Sequence, residues 1–185
     1  FEKRKIGEND NEICRIIRED LIEDFIIYIN KNEFPIYSKI KPSIYETHSL
    51  LINEELTLIE YAAFFGSIQI FKYLYINKAE IKESIWIYGI HGNNPEIISF
   101  LEEKSESIIQ NDDNYFEYLK ESIKCHHNDM AYYFQNNYLK TSNETVSNDF
   151  DFENNVFYYG FHYNNYAFFP SELNNHIFIF DLCKY

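Results

Sequence analysis

The apolar and polar positions of residues 57–81 predict two helices joined by a tight turn. In the stretch "IEYAAFFGSIQIFKYL" (59–74), apolar residues recur at helical spacing on both sides of Gly66. The pair Ala62 and Ala63 removes side-chain bulk, so that helices can approach closely there, and Gly66 supplies the positive φ that ends the first helix. The pattern therefore predicts a helix–turn–helix unit.

The same pattern recurs twice downstream. A shift of 27 residues aligns 60–74 with "IYGIHGNNPEIISFL" (87–101), and a further shift of 33 residues reaches "KESIKCHHNDMAYYF" (120–134). Each unit has a small residue where helices would meet and a turn residue that tolerates the left-handed conformation. The small positions are Ala62, Gly89 and Ser122, and the turn positions are Gly66, Asn93 and His126.

A looser copy lies upstream, in "EICRIIREDLIEDFIIYIN" (12–30), if one extra residue is allowed in its turn. Downstream, "VFYYGFHYNNYAFF" (156–169) repeats the first helix and the turn, with Gly160 in the small position and Asn164 in the turn position. Pro170 is expected to stop the second helix of that copy early. The fold class predicted from these copies is all-α, an array of stacked antiparallel helix pairs.

The last stretch, "HIFIFDLCKY" (176–185), has the pattern of another first helix, with Cys183 in the small position. Because the stretch stops inside that pattern and residue 1 is Phe, the sequence is interpreted as a fragment. A terminal repeat normally presents a polar outer face. A longer chain is therefore expected to melt later and to aggregate less.

Residues 57–81, "TLIEYAAFFGSIQIFKYLYINKAEI", resemble the ankyrin repeat almost column by column. Leu58, Glu60 and Lys78 depart from the proline, histidine and glycine of that repeat. Residues 13–139 as a whole are similar to the divergent ankyrin-repeat proteins of the Ile- and Asn-rich protist type, whose N-terminal part is also classified as a domain of unknown function. The resemblance implies an ankyrin-like solenoid with degenerate hairpin loops.

The organisation expected from these patterns has three parts. Residues 1–12 form a charged lead-in, and residues 140–185 form a connector with partial, truncated repeats. Between them, the resemblance implies an extended hairpin in 31–56, and polar connectors are expected at 104–115 and 141–153. The ankyrin-like repeats fall at about 13–30, 57–81, 84–104 and 117–139.

Composition excludes several classes of function. The formal net charge of −14 and the lack of a basic patch argue against nucleic-acid binding. No apolar run approaches the roughly 20 residues of a membrane helix, so membrane insertion is not expected. Three widely spaced cysteines argue against a disulfide framework and favour a reducing, intracellular and cytoplasmic location.

The strongest candidate for chemistry is "CHHND" (125–129), whose side chains are all of zinc-binding types. Adjacent side chains point apart, and the repeat pattern gives these residues turn and helix-start roles, so the structural interpretation is preferred. No phosphate-binding glycine loop or nucleophile elbow is present. No catalytic residue, metal ligand or cofactor is therefore predicted.

The function predicted is a non-catalytic scaffold that binds another protein along the concave face of the array, because this is the usual role of such repeats. The two positions before each turn are expected to face that groove, and the candidate partner-binding residues are Phe64, Phe65, His91 and Lys124. The alternative is a metal-binding or catalytic module built on 125–129 or on parts of the chain outside this sequence.

Overall fold

The protein is all-α. The structure, a computed structural model, describes residues 7–52, 55–108, 114–141 and 149–169. Within these ranges the regular structure is helical and contains no strand, and a single β-type bridge joins Lys39 to Thr57. Contacts within the chain divide it into a first unit, Phe1–Gln110, and a second unit, Asn111–Tyr185.

Most helices of the first unit follow one another after short connections, whereas a long irregular segment joins the second helix to the third. The first unit contains α1 (Glu12–Arg18), α2 (Ile22–Lys31), α3 (Ser49–Ile52), α4 (Leu58–Phe64), α5 (Ile68–Ile76), α6 (Ile85–Gly92), α7 (Pro95–Glu103) and α8 (Ser105–Ile108). The second unit contains α9 (Asn114–Lys124), α10 (Asn128–Thr141), α11 (Asp149–His162) and a 3₁₀ helix (Tyr166–Phe168).

The turn between α4 and α5 has the hydrogen bonds of a Schellman motif. Gly66 has a φ of +68°, and its N–H donates to the carbonyl of Ala63 at 3.1 Å, while the N–H of Ser67 donates to the carbonyl of Ala62 at 2.9 Å. The same two bonds form at the turns after α1, α9 and α11, where the residues with positive φ are Asp20, His126 and Asn164.

The first helix pair needs no extra residue in its turn, so the expectation of an insertion there is wrong. Three residues separate α1 from α2, as they separate α4 from α5, and both turns close with the same bonds. Asp20 therefore corresponds to Gly66. Asp can take this position because its short polar side chain tolerates the left-handed region.

The turn between α6 and α7 also contains a left-handed residue, but a different hydrogen bond closes it. Asn93 has a φ of +44°, and its N–H donates to the carbonyl of Gly89 at 2.9 Å, which closes the simpler αL motif. Asn94 then caps α7, because its side-chain oxygen accepts from the N–H groups of Glu96 and Ile97. Pro95 occupies the first turn of α7, where its missing N–H costs nothing.

Two second helices also end in left-handed residues that are not glycine. Glu33 follows α2 with a φ of +48°, and Lys78 follows α5 with a φ of +66°. Lys78 stands where the resembling repeat has glycine, and the structure keeps the left-handed conformation there, with the N–H of Ala79 bonded to the carbonyl of Leu74 at 3.0 Å. The lysine side chain therefore makes this turn less favourable than glycine would.

We expect Lys78→Gly to stabilise the protein. A left-handed conformation costs a residue with a Cβ about 1–2 kcal/mol, and the greater unfolded-state freedom of glycine offsets part of that gain. The net increase in the free energy of unfolding should be about 0.5–1 kcal/mol, measured by urea denaturation. Lys82→Gly is the control, because Lys82 is equally exposed without a positive φ. An equal change for both variants would contradict the prediction.

Successive helix pairs of the first unit pack helix on helix. The first helices follow one another, α1 against α4 and α4 against α6, and the second helices do the same, α2 against α5 and α5 against α7. The core lies between them. Its largest fully buried side chains in this unit include Trp86, Tyr61, Phe25, Phe71, Ile17 and Leu58.

The helix pairs approach each other closely at Gly92. A Cβ built on Gly92 would lie 2.0 Å from the carbonyl oxygen of Ala63 and 2.9 Å from the backbone nitrogen of Gly66. A Cβ on Gly89 would instead meet the end of the Leu101 side chain at 2.8 Å. Backbone of α6 therefore contacts the backbone that ends α4, and it does so at the last residue of α6.

Side chains just after the turns bond to the preceding helix pair. Ser67 Oγ donates to the carbonyl of Ile17, and Asn94 Nδ2 donates to the carbonyl of Gly66 at 2.9 Å. Asp20 acts in the opposite direction, because its carboxylate accepts from the N–H of Ile70 at 3.0 Å, near the start of α5. These bonds fix the register between neighbouring pairs while satisfying polar groups at the helix ends.

The second unit has an equivalent bond. Asn165, which follows the left-handed Asn164, is 3% exposed, and its Nδ2 donates to the carbonyl of Ile123 at 2.9 Å and to Asn128 Oδ1 at 2.8 Å. In the first unit, Ser67 reaches the same position of the preceding turn. The turn of α11 is therefore attached to α9 by the device used in the first unit.

The N-terminal part is more ordered than a charged lead-in would be. Asn9 is 2% exposed, and its Nδ2 donates to the carbonyl of Lys41 at 2.9 Å. The buried carboxylate of Glu46 accepts from the N–H of Asn9, and Gly7 is bonded to Thr47. Residues 7–11, which belong to the predicted charged lead-in, therefore bond to the segment 41–47.

The connectors also differ from expectation. Instead of an extended hairpin, residues 31–56 contain turns, the short helix α3 and the Lys39–Thr57 bridge, as far as they are described. Helices α8 and α11 occupy parts of the predicted polar connectors 104–115 and 141–153. The predicted roles of Pro170 and of 176–185, with Cys183, lie outside the described residues.

Candidate functional site

Three of the four candidate partner-binding residues lie together in the first unit. Phe64 and Phe65 end α4, and both are half-buried. The ring of Phe64 stacks on the imidazole of His91, with centroids 5.1 Å apart and planes at 18°. Phe65 meets Phe64 edge to face at 5.0 Å. The structure therefore brings Phe64, Phe65 and His91 into one aromatic cluster.

His48 is a fourth member of this cluster, and the sequence analysis missed it. Its ring centroid lies 4.8 Å from that of Phe64 and 5.0 Å from that of His91. Glu46 helps to hold it, since Glu46 Oε1 accepts from the N–H of His48 at 3.0 Å. His48 comes from the irregular segment before α3, where no periodic pattern could indicate its position. We call His48, Phe64, Phe65 and His91 the aromatic cluster.

Arg18 supports one side of the aromatic cluster. Its guanidinium lies 5.9 Å from the ring centroid of Phe65, within the range of a cation–π contact. The same group donates to the hydroxyl of Tyr61 at 3.0 Å and pairs with Glu8 at 2.9 Å. Arg18 thus connects the end of α1 to α4, and its side chain is only 14% exposed.

Lys124, the fourth candidate, belongs to the second unit. Its Nζ lies 2.8 Å from Glu121 Oε1, one turn earlier on α9. Burial alone would lower the pKa of Lys124, but the hydrogen bond and the charge of Glu121 outweigh it and raise the pKa. Lys124 therefore carries a positive charge at neutral pH.

The predicted structural positions lie at helix contacts and turns. Ala62 and Ser122 are fully buried, and Ser122 Oγ donates to the carbonyl of Tyr118 at 2.8 Å. Gly66 and Asn93 lie in their turns with positive φ, as described above. Gly89 lies against Leu101 of α7, within its own helix pair, and Gly92 is a further structural residue that faces the preceding pair.

Glu60 has a structural role that its departure from the resembling repeat did not suggest. It forms a capping box with Thr57, whose N–H donates to Glu60 Oε2 at 2.8 Å. Its other oxygen accepts from the hydroxyl of Ser84 at 2.6 Å. The carboxylate is nearly buried, so Glu60 both starts α4 and ties it to the segment that starts α6.

The segment 125–129 is engaged in local structure. His126 holds the left-handed turn position, and its Nε2 lies 3.1 Å from the carbonyl of Tyr163. Burial and the charge of Glu121 raise the pKa of Cys125 to about 11. Nucleophilic chemistry needs the thiolate, so the raised pKa disfavours Cys125 as a nucleophile.

We expect both described cysteines to react slowly with iodoacetamide in the folded protein at pH 8. Burial raises the pKa of Cys14 to about 11, as it does that of Cys125, from an ordinary value of 9.0. Two pKa units correspond to a roughly hundredfold smaller thiolate fraction. The measurement is mass-spectrometric labelling of a Cys183→Ser variant, with the urea-unfolded protein as control. Equal labelling rates in both states would contradict it.

The same shift makes stability depend on pH in the alkaline range. Between pH 9 and about 11, the folded state keeps protons on these thiols that the unfolded state loses. Because the folded state then binds more protons, its stability falls as pH rises through this window. Below pH 9 the thiols are protonated in both the folded and the unfolded state, so their contribution to stability is fully present there.

Helices α5 and α7 carry an exposed ion pair and an apolar groove. Lys72, on α5, is exposed and pairs with Glu96 of α7 at 2.6 Å. It also lines an apolar groove of about 160 Å³ between α5 and α7, together with Ile68, Phe71, Tyr75, Ile76 and Phe100. A substitution of Lys72 would therefore change this groove, so it is not suitable as a neutral control in a binding experiment.

The function of this chain must be inferred from its own residues, because comparison with known proteins finds no match. No family model, curated protein or solved structure matches this chain. None of the helices in the described part of the chain is both long and apolar enough to cross a bilayer.

Proposed function

We propose that this chain is a non-catalytic scaffold that binds another protein through an ankyrin-like array of helix pairs. The observation that carries the proposal is the aromatic cluster, which lies at the end of α4, just before its turn. Aromatic side chains dominate the energetics of protein interfaces, and half-buried rings can contribute apolar area without a large loss of side-chain entropy.

The helix pairs of the first unit support an ankyrin-like arrangement. Each pair packs on the next through like helices, and the turns repeat at left-handed residues. In successive pairs, the residue after the left-handed position bonds to the preceding turn region, Ser67 to Ile17 and Asn94 to Gly66. A repeated contact of this kind is what a solenoid of similar units requires. We extend the same arrangement, as part of the proposal, to the whole of 13–139.

The alternative function, a metal-binding or catalytic module built on 125–129, has weaker support. The raised pKa of Cys125 disfavours its thiolate, and His126 serves in a turn. Titration with zinc separates the two proposals. Tight binding of zinc that is lost in a Cys125→Ser variant would favour the metal module over the scaffold.

The partner proposed is a protein rather than a nucleic acid, since the net charge of −14 opposes binding to phosphates. An intracellular, cytoplasmic location is proposed with it. The support is that Cys14 and Cys125 are free thiols, as in proteins of reducing compartments.

The experiment that tests the scaffold begins with affinity purification and then measures binding of the purified partner by calorimetry. The double variant Phe64→Ala and Phe65→Ala should weaken binding by at least about 2 kcal/mol. Gln69→Ala, on the exposed face of α5, is the control and should have little effect.

Because the aromatic cluster also packs within the protein, each variant is first checked by its thermal midpoint. His91→Ala and His48→Ala give two further tests from different elements of the same cluster. If Gln69→Ala weakens binding more than the aromatic double variant does, the proposed surface is wrong.

A further inference from the structure

A second surface lies on the first helix pair, away from the aromatic cluster. Residues of α1 and α2 line a groove of about 450 Å³, within the size range of ligand pockets. Ile27, 62% exposed, and the half-buried Tyr28 provide its accessible apolar surface, whereas Ile16, which also lines it, is only 3% exposed. An aliphatic side chain exposed to this degree in a concave site is available for a partner.

The charged residues of this groove are mainly acidic. Glu12 and Asp24 line it together with a single cation, Lys31. Glu12 is held by Arg15, which donates to it and to Glu19 at 2.8 and 2.7 Å. Residues 8–33, the segment that carries the groove, contain eight acidic and three basic side chains, so this part of the chain is acidic.

We propose that this groove, named here the α1–α2 groove, binds a basic segment of a partner protein that carries an aliphatic side chain between its basic residues. The aliphatic side chain contacts Ile27 and Tyr28, and the basic side chains pair with the exposed carboxylates, Asp24 foremost. Opposite charges across such a surface speed association and select the partner.

The size of the groove favours a short segment over a second copy of this chain. Seven residues line it, the five named above with Lys31 and Asn32. A stable protein–protein interface uses about 20–30 residues on each side. The proposed occupant is therefore a peptide-like segment.

The test uses a short fluorescein-labelled peptide of alternating leucine and lysine as the probe, with fluorescence anisotropy of the full chain as the readout. The peptide should bind, and a matched peptide of leucine and glutamate should not. Binding should weaken as salt is raised, because exposed charges are screened. Failure of the lysine peptide to bind at low salt would overturn the proposal.

Variants then decide where the peptide binds. Asp24→Asn and Ile27→Ser should each weaken binding roughly tenfold. Their matched controls are Glu80→Gln and Ile44→Ser, which change an exposed acid and an exposed isoleucine elsewhere. All four positions are exposed, so the variants should fold, which circular dichroism can check. Equal losses for controls and groove variants would overturn the proposal.

Two further measurements distinguish the α1–α2 groove from the aromatic cluster and from a contact between copies of this chain. The double variant Phe64→Ala and Phe65→Ala should bind the peptide as the parent does, so the proposed scaffold surface can fail while this groove stands. If Ile27→Ser instead converts a dimer into a monomer in analytical ultracentrifugation, the groove is an interface between copies, and the proposed occupant is wrong.

Discussion

Gly92→Ala should be among the most destabilising single substitutions in the chain. The added Cβ would lie 2.0 Å from the carbonyl oxygen of Ala63, and backbone atoms cannot move aside as a flexible side chain can. The pairs α4–α5 and α6–α7 would have to separate, which also strains the bond from Asn94 to Gly66. We expect a loss of about 3 kcal/mol or more in the free energy of unfolding, measured by urea denaturation.

Gly89→Ala is the matched control, three residues earlier on the same helix. Its Cβ would meet only the Cδ1 of Leu101, the far end of a flexible side chain, at 2.8 Å. Alanine is also about 1 kcal/mol more favourable than glycine inside a helix, which offsets part of the repacking cost. If Gly89→Ala proves the more damaging of the two, the assignment of the close contact between helix pairs to Gly92 is wrong.

Ala62→Leu is expected to have the next largest effect. Ala62 is fully buried, and its helix, α4, is in contact with α1, α5 and α6. Three added carbon atoms must therefore enter an interior that is enclosed on three sides. Overpacking of this kind typically costs about 1–3 kcal/mol, and the same denaturation experiment measures it.

The control for Ala62→Leu is Ala79→Leu, in the loop after α5. Ala79 is half-buried, so its longer side chain can extend toward solvent. The change should stay within about 0.5 kcal/mol of the parent, as for most surface substitutions. Unfolding midpoints for Ala62→Leu that match the parent would contradict a close helix contact at this position.

The aromatic cluster shows how far the candidate site could be predicted. Phe64, Phe65 and His91 were indicated because they precede turns whose positions the sequence pattern marks. His48 was not indicated, because it lies in an irregular segment and reaches the cluster through long-range folding. Arg18 was missed for a related reason, since its contact with Phe65 joins two helix pairs.

Gly92 illustrates the same limit for packing. The repeat pattern marked Gly89 as a contact between the two helices of one pair, and a Cβ there would meet Leu101 of α7. It did not mark Gly92 as a contact with the preceding pair. Which glycine meets a neighbouring backbone depends on how far α6 extends before its turn, and α6 ends at Gly92 itself. A helix longer or shorter by one residue would place a different residue at this contact. No local sequence pattern indicates that length.

The residue types at neighbouring positions determined the helices and turns of this protein. The sequence by itself predicted an all-α chain, because apolar residues recur at helical spacing, and it indicated Gly66, Asn93 and His126 as turns, because these residue types tolerate a positive φ. The structure has helices and left-handed residues at these places.

Only the tertiary structure decided what these helices touch. His48 reaches the aromatic cluster from an irregular segment. The bond from Ser67 to Ile17 and the cap that Asp20 gives to α5 each join residues 50 positions apart, on different helix pairs. Such contacts depend on the packing angle and register of whole helices, which are set by the summed burial of many side chains. A periodic sequence pattern does not indicate how those contributions add up.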